Sequence, residues 1–181
     1  METLISISGS SKNRGIKIAV LLAVGFVFAG IPLGRAQDEI TLQVNYVGGG
    51  SSLDFGRLRN LQTDGSPAAE SSTRRVRLVV EPVQGNTRPY VVTQILDQEP
   101  TNEAGKATSP RSIVYRVEEE TGSGTVKVTS ETPLAAGEQE IYQSHPQGGN
   151  SQLLITYDLV TSPDQEAGSY AGSVTYRVST L

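Results

Sequence analysis

The triplet DFG at residues 54–56 is the first stretch whose residue types could carry out chemistry. In protein kinases such an aspartate holds magnesium, but phosphoryl transfer also needs a glycine-rich phosphate loop and a His-Arg-Asp loop. The sequence contains neither of these loops, and it is too short for a kinase domain. We therefore expect Leu53 and Phe55 to be core anchors, with Gly56 allowing a bend in the chain.

His145 is the only histidine of the chain, and Ser144 precedes it in the turn-like stretch SHPQGG. A nucleophile and its base are brought together in space with a third, orienting group, so neighbours in sequence do not form such a pair. His145 is therefore predicted to be a solvated loop residue.

Carboxylates alternate at Asp97, Glu99 and Glu103, a spacing that could favour calcium. The glycine and the final bidentate glutamate of an EF-hand loop are missing, however. The acidic run at residues 118–120 is typical of a solvated strand end. We predict a protein without catalytic residues, metal or cofactor, and therefore not an enzyme.

Seven tyrosines dominate the aromatic content, and the chain has no tryptophan. Tyrosine rings could form a platform that stacks on sugars, but most of these tyrosines are in phase with apolar neighbours on predicted strands. Core packing, with the hydroxyl at the sheet margin, is the better interpretation.

Residues 1–36 are predicted to be a signal peptide. Lys12, Arg14 and Lys17 precede an apolar stretch at residues 18–33, and Gly34 and Ala36 are small residues suited to a signal peptidase. The apolar stretch is shorter than the about 20 residues of a membrane crossing, although an uncleaved anchor is the alternative. We expect an exported domain at residues 37–181, which has no membrane contact after cleavage.

Eleven basic and eighteen acidic residues remain in this domain, and the chain has no cysteine. An acidic surface repels phosphate backbones, so nucleic acid and anionic membranes are not expected partners. Without disulfides or thiolate metal sites, stability must come from packing and hydrogen-bonded sheet.

Alternation with a period of two residues dominates the domain, and helical periodicity hardly occurs after Gln37. About eight strands are predicted, joined by turns rich in Gly, Pro, Ser, Asp and Asn, with a long surface loop at residues 63–73. This pattern predicts an all-β fold, an antiparallel β-sandwich of the immunoglobulin type. A small jelly roll is the second possibility.

Four stretches follow one another along the domain: DEITLQVNYV, RPYVVTQILDQEPTN, GGNSQLLITYDL and AGSYAGSVTYRVSTL. In this order they resemble the major fimbrial subunits assembled by the alternate chaperone/usher route. A further stretch, SSLDFGRL, is closer to spore-coat-U-like domains. The resemblance covers about half of the domain, and it depends on the order of the stretches more than on any one of them.

This resemblance implies a sandwich that lacks one strand and polymerises when another copy supplies it. The donor-strand residues would be Ile40, Leu42, Val44 and Tyr46. The groove along the terminal strand would be lined by Tyr170, Gly172, Val174, Tyr176 and Val178. Expected partners are other copies or related subunits, a periplasmic chaperone and an outer-membrane usher.

The function predicted from the sequence is a structural subunit of a fimbria or adhesive surface polymer, exported to the periplasm and then to the cell surface. One alternative is a monomeric periplasmic or surface module that binds carbohydrate or protein through loops such as residues 63–73. In a complete monomeric sandwich, residues 40–46 would pack inside their own chain, and the alternation is the same in both cases.

Overall fold

The computed structural model describes residues 2–5, 40–59, 71–83, 88–108, 112–161 and 165–181. These residues form strands and connections, and none forms a helix long and apolar enough to cross a membrane. The strands, in chain order, are β1 (Glu2–Ile5), β2 (Ile40–Val47), β3 (Leu53–Leu58), β4 (Ser71–Pro82), β5 (Tyr90–Thr101), β6 (Ile113–Thr121), β7 (Thr125–Val126), β8 (Thr132–Pro133), β9 (Gly137–Gln143), β10 (Ser151–Val160) and β11 (Gly168–Thr180).

The strands form two antiparallel sheets that pack face to face. In the β10 sheet the order is β2-β4-β10-β6-β8. In the β11 sheet the order is β11-β5-β9-β7, and both β1 and β3 pair with the free side of β11. From β2 onward, each strand lies in the sheet opposite to that of the strand before it. The all-β sandwich predicted from the alternation is therefore present.

The connections follow the jelly roll, which the sequence left as the second possibility. Four strands of one sheet lie side by side in the order β4, β10, β6, β8, so the first of them in the chain neighbours the fourth, which is followed by the second and the third. The other sheet repeats this arrangement with β3, β11, β5 and β9. The immunoglobulin arrangement instead places its last strand at the edge of a three-stranded sheet. Here the last strand, β11, lies between β3 and β5.

The core follows from the alternation, because every second side chain of a strand points between the sheets. Large side chains that are almost completely buried fill it, and Tyr115 and Tyr157 stack with ring centroids 5.8 Å apart. Without disulfides, this packing holds the sheets together. The largest buried side chains are Tyr90, Tyr115, Tyr142, Tyr157, Tyr170, Tyr176, Leu53, Leu78, Ile113, Leu134, Ile141 and Leu153.

The stretch LDFG forms part of β3 and has the structural role predicted for it. Leu53 and Phe55 are buried. Phe55 is an extra residue in the ladder with β11, and Gly56 has a φ of 69°. A bulge that contains a glycine in the left-handed region bends a strand in this way.

Other elements differ from the sequence-based expectation. Strand β7 has only two residues, whereas β9 is longer than its short apolar stretch suggested. The predicted loop at residues 63–73 ends earlier, because β4 already begins at Ser71; residues 63–70 lie outside the described residues. The predicted signal peptide also lies mostly outside them, except for β1.

Candidate functional site

The proposed donor segment forms strand β2 at the edge of the β10 sheet. It pairs with β4 along its whole length, from Ile40 opposite Pro82 to Val47 opposite Arg75. Ile40 and Leu42 are 8% and 7% exposed, whereas Val44 and Tyr46 are half-buried. In this single chain the segment therefore packs in its own sandwich. Whether copies exchange it is a question about an assembly, and donation stays a prediction.

The residues proposed to line the acceptor groove all point into the core. They are Tyr170, Gly172, Val174, Tyr176 and Val178 of β11, and each is buried. Strand β2 packs against β11 across the two sheets. The structure thus brings the proposed donor and acceptor residues together, within one chain.

A chain of hydroxyl and amide groups connects side chains of β11, β10, β5 and β9. The Tyr157 hydroxyl donates a hydrogen bond of 2.5 Å to Oε1 of Gln94 and lies 2.8 Å from the Tyr176 hydroxyl. Gln94 Nε2 in turn donates to Oε1 of Gln139 at 3.1 Å. Burial raises the pKa values of both tyrosines, and Tyr46 of β2 contributes a smaller rise to each. Sequence alternation predicted buried rings here, but it gives no sign of this network.

Close packing within its own chain requires glycine at position 172. A Cβ at this position would stand 2.8 Å from the Gln98 carbonyl oxygen and 3.0 Å from Cγ of Pro100. Such approaches are closer than real Cβ atoms make, so the bulged part of β5 occupies the space that a side chain would need. The role of Gly172 in lining a groove for a donor strand, which the resemblance implies, stays a prediction.

The outer backbone edge of β11 is divided between two partners. Strand β3 pairs with Gly168 to Gly172, and β1 pairs with Tyr176 to Ser179. Because β1 belongs to the predicted signal peptide, the part of β11 from Ser173 onward has no partner on this edge among the described residues of the predicted exported domain. A row of unpaired amide and carbonyl groups is a template for another strand.

Three glycines follow β2 and connect it to β3 in the other sheet. Gly48, Gly49 and Gly50 have φ values of 93°, 90° and 92°. Residues with a side chain rarely adopt this region, which glycine occupies without steric cost. This Gly hinge (residues 48–50) allows the chain to leave one sheet directly after β2.

The carboxylates considered for calcium do not converge. The structure describes no cluster of three or more potential metal ligands. Oδ2 of Asp97 accepts a hydrogen bond of 2.6 Å from the hydroxyl of Thr175, which is buried. Oε2 of Glu103 accepts one of 3.1 Å from the Ser169 amide. Asp97 and Glu103 therefore each connect to a residue of β11.

Ser144 and His145 do not form a nucleophile and base pair. The Ser144 hydroxyl donates 3.0 Å to the His145 carbonyl oxygen and accepts from the Tyr90 amide at 2.8 Å. The imidazole is exposed, and its Nδ1 accepts a hydrogen bond of 3.2 Å from the Gln147 amide. These bonds stabilise the turn between β9 and β10.

Glu119 has a structural role that the sequence did not reveal. It was expected to be solvated with its acidic neighbours, but its Oε1 accepts 2.6 Å from the Tyr142 hydroxyl and 3.1 Å from the Gly124 amide. The Tyr142 hydroxyl also lies 2.7 Å from the Ser151 hydroxyl. No local pattern could have indicated these partners, because they come from three separate segments.

The tyrosines offer no exposed platform for sugar stacking. Six of the seven are buried, and the remaining one, Tyr46, is half-buried. No protein-family model, curated protein or solved structure matches this chain. The resemblance to fimbrial subunits, and the binding-module alternative, therefore both stay predictions.

Proposed function

We propose that this chain is an exported structural subunit whose copies join into a surface polymer by exchanging strand β2. One observation supports this most directly: β2 is an edge strand that the described structure holds through a single ladder, with the Gly hinge immediately after it. Such a strand can leave its place without breaking any other strand pairing. A hinge that allows a segment to cross to a neighbour is the usual basis of strand swapping.

Strand β2 makes the same contacts whether it packs in its own copy or in a neighbouring copy. Burying Ile40 and Leu42 contributes roughly 1.5 to 3 kcal/mol each, whether their own copy or a neighbour provides the core. The balance is therefore set by subunit concentration and by the conformation of the Gly hinge. High local concentration at an assembly site would shift it toward the polymer.

Exchange requires a removable edge strand and not a particular sandwich topology. The immunoglobulin-like topology of fimbrial subunits is therefore not needed for this proposal. The resemblance adds a periplasmic chaperone and an outer-membrane usher as partners, and the cell surface as the final location. Each of these belongs to the proposal.

A cysteine pair across β2 and β4 tests the exchange, because the chain has no cysteine of its own. Gln43 lies directly opposite Val79 on the outer face of the β10 sheet. In the exported Gln43→Cys/Val79→Cys protein, a short bifunctional thiol reagent should join different copies. The expected product is a ladder of covalent multimers on a denaturing gel.

The control pair is Val79→Cys with Gln152→Cys, because Gln152 lies opposite Val79 on the other side of β4. Neither residue belongs to β2, so this pair should close only within one copy. If the first pair gives nothing larger than a dimer at any protein concentration, copies do not join into a polymer by exchanging β2 and the proposal is wrong.

A further inference from the structure

The two sides of the sandwich differ in how their backbone edges end. On one side the edge strands are β7 and β8, each only two residues long. Pro133 ends β8, and it cannot donate to a further ladder. Short edge strands and prolines are common devices that prevent a sheet from pairing with another molecule. We call this the guarded side.

The opposite side has no such protection. Its edge in the β10 sheet is β2, whose eight residues include neither a charged residue nor a proline. Outside the ladder with β4, the structure shows no strand pairing for β2 within its described ranges. The unpaired edge is therefore long enough, and neutral enough, to take another strand.

The β11 sheet ends on this same side, since β2 packs against β11 and β3 packs against β4. The edge of β11 lies here, and β1 pairs with it in antiparallel register from Glu2 opposite Ser179 to Ile5 opposite Tyr176. Both sheets thus present strand edges on one side, which we call the open side. The pairing of β1 shows that an extended segment fits there.

We propose that the open side is a dimer interface, at which β2 of a second copy adds antiparallel to the outer edge of β2. An antiparallel pair of identical strands is related by a two-fold axis, so the same edge serves both copies. The absence of charge matters because like charges directly opposite each other destabilise a pair, and a self-pairing strand would place its own charges close together.

The outward side chains of β2 suit this partner. Thr41, Gln43 and Asn45 are exposed and polar, and they can form hydrogen bonds with their counterparts across the axis. A two-fold axis at Gln43 places Thr41 of one copy opposite Asn45 of the other. The solvent-exposed faces of the two β10 sheets then lie on the same side of the combined sheet. The dimer does not depend on strand exchange, because β2 keeps its outer edge whichever copy it packs in.

Single cysteines on β2 test the interface. In the exported protein, Thr41→Cys, Gln43→Cys and Asn45→Cys are each oxidised under dilute conditions, and covalent dimers are measured on a non-reducing gel. The residue nearest the two-fold axis should form dimers at least about tenfold faster than the other two. Thr125→Cys, which is exposed on β7 of the guarded side, is the control and should stay monomeric.

A charge on the edge provides a second measurement. Gln43→Lys should weaken self-association in sedimentation equilibrium at least about tenfold, because two ammonium groups then meet at the axis, and Thr125→Lys should leave it unchanged. If the unmodified protein is monomeric at all concentrations and no β2 cysteine dimerises faster than the β7 control, the inference is wrong. That result would leave the proposed strand exchange standing, because exchange is tested by the cross-link between residues 43 and 79.

Discussion

The hydroxyl groups of Tyr157 and Tyr176 lie in the core of the sandwich, among mostly apolar side chains. Both groups are buried and bonded to each other, and Tyr157 also donates to Gln94. A buried polar group without a partner costs about 1 to 3 kcal/mol. The network is therefore tolerated only because its members satisfy each other.

Removing the two hydroxyls one at a time should have unequal effects. Tyr157→Phe leaves both the Gln94 oxygen and the Tyr176 hydroxyl without their bond to Tyr157, and should lower the free energy of unfolding by about 1 to 3 kcal/mol. Tyr176→Phe leaves Tyr157 bonded to Gln94 and should cost less. Urea unfolding of the two variants measures the difference. Equal losses would contradict the network as the source of the effect.

Alkaline pH should destabilise the fold through the same two tyrosines. Burial raises their pKa values above the ordinary value of 10, so the folded chain keeps protons that the unfolded chain releases. Their contribution is complete below pH 10 and decreases above it, by up to about 1.4 kcal/mol per pH unit for each tyrosine. Unfolding followed at pH 9, 10 and 11 should show this loss.

At the scale of single elements, the alternation of apolar and polar residues predicted most of the long strands but not which strands pair with each other. Strands β2, β4, β6, β10 and β11 were recognisable because one face of each is apolar. Strand β3 was not, since its bulge at Gly56 interrupts the alternation. Pairing is decided by contacts between distant segments, so the sequence left open whether β2 packs in its own chain or elsewhere.

The attachment of β2 depends on its inward face. Val44→Asp places a charge where β2 packs against the core, and should release the strand at a cost of about 1 to 3 kcal/mol. Asn45→Asp puts the same carboxylate on the exposed face and, at dilutions where copies do not associate, is the matched control. Hydrogen exchange of the β2 amides should increase for the first variant alone, and covalent ladders through residues 43 and 79 should disappear with it.

At the scale of the whole molecule, the two sheets are joined by connections that cross between them at every step from β2 to β11. Alternation predicted the all-β class, and the structure buries Ile40, Leu42 and the inward residues of β11, whereas their roles as donor and acceptor stay predictions. The jelly-roll order could not be predicted, because alternation shows which face of a strand is buried but not which strand lies beside it. The network at Glu119 was equally hidden, since its members meet only in the folded chain.

The contrast between the guarded and open sides limits how far association can extend. If two copies meet along β2, each has used that edge, and the two-residue strands β7 and β8 offer nothing comparable to a third copy. Contacts of this kind close at a pair. Pairing of β2 edges alone would therefore give dimers and not fibres, and growth beyond a pair would need exchanged strands.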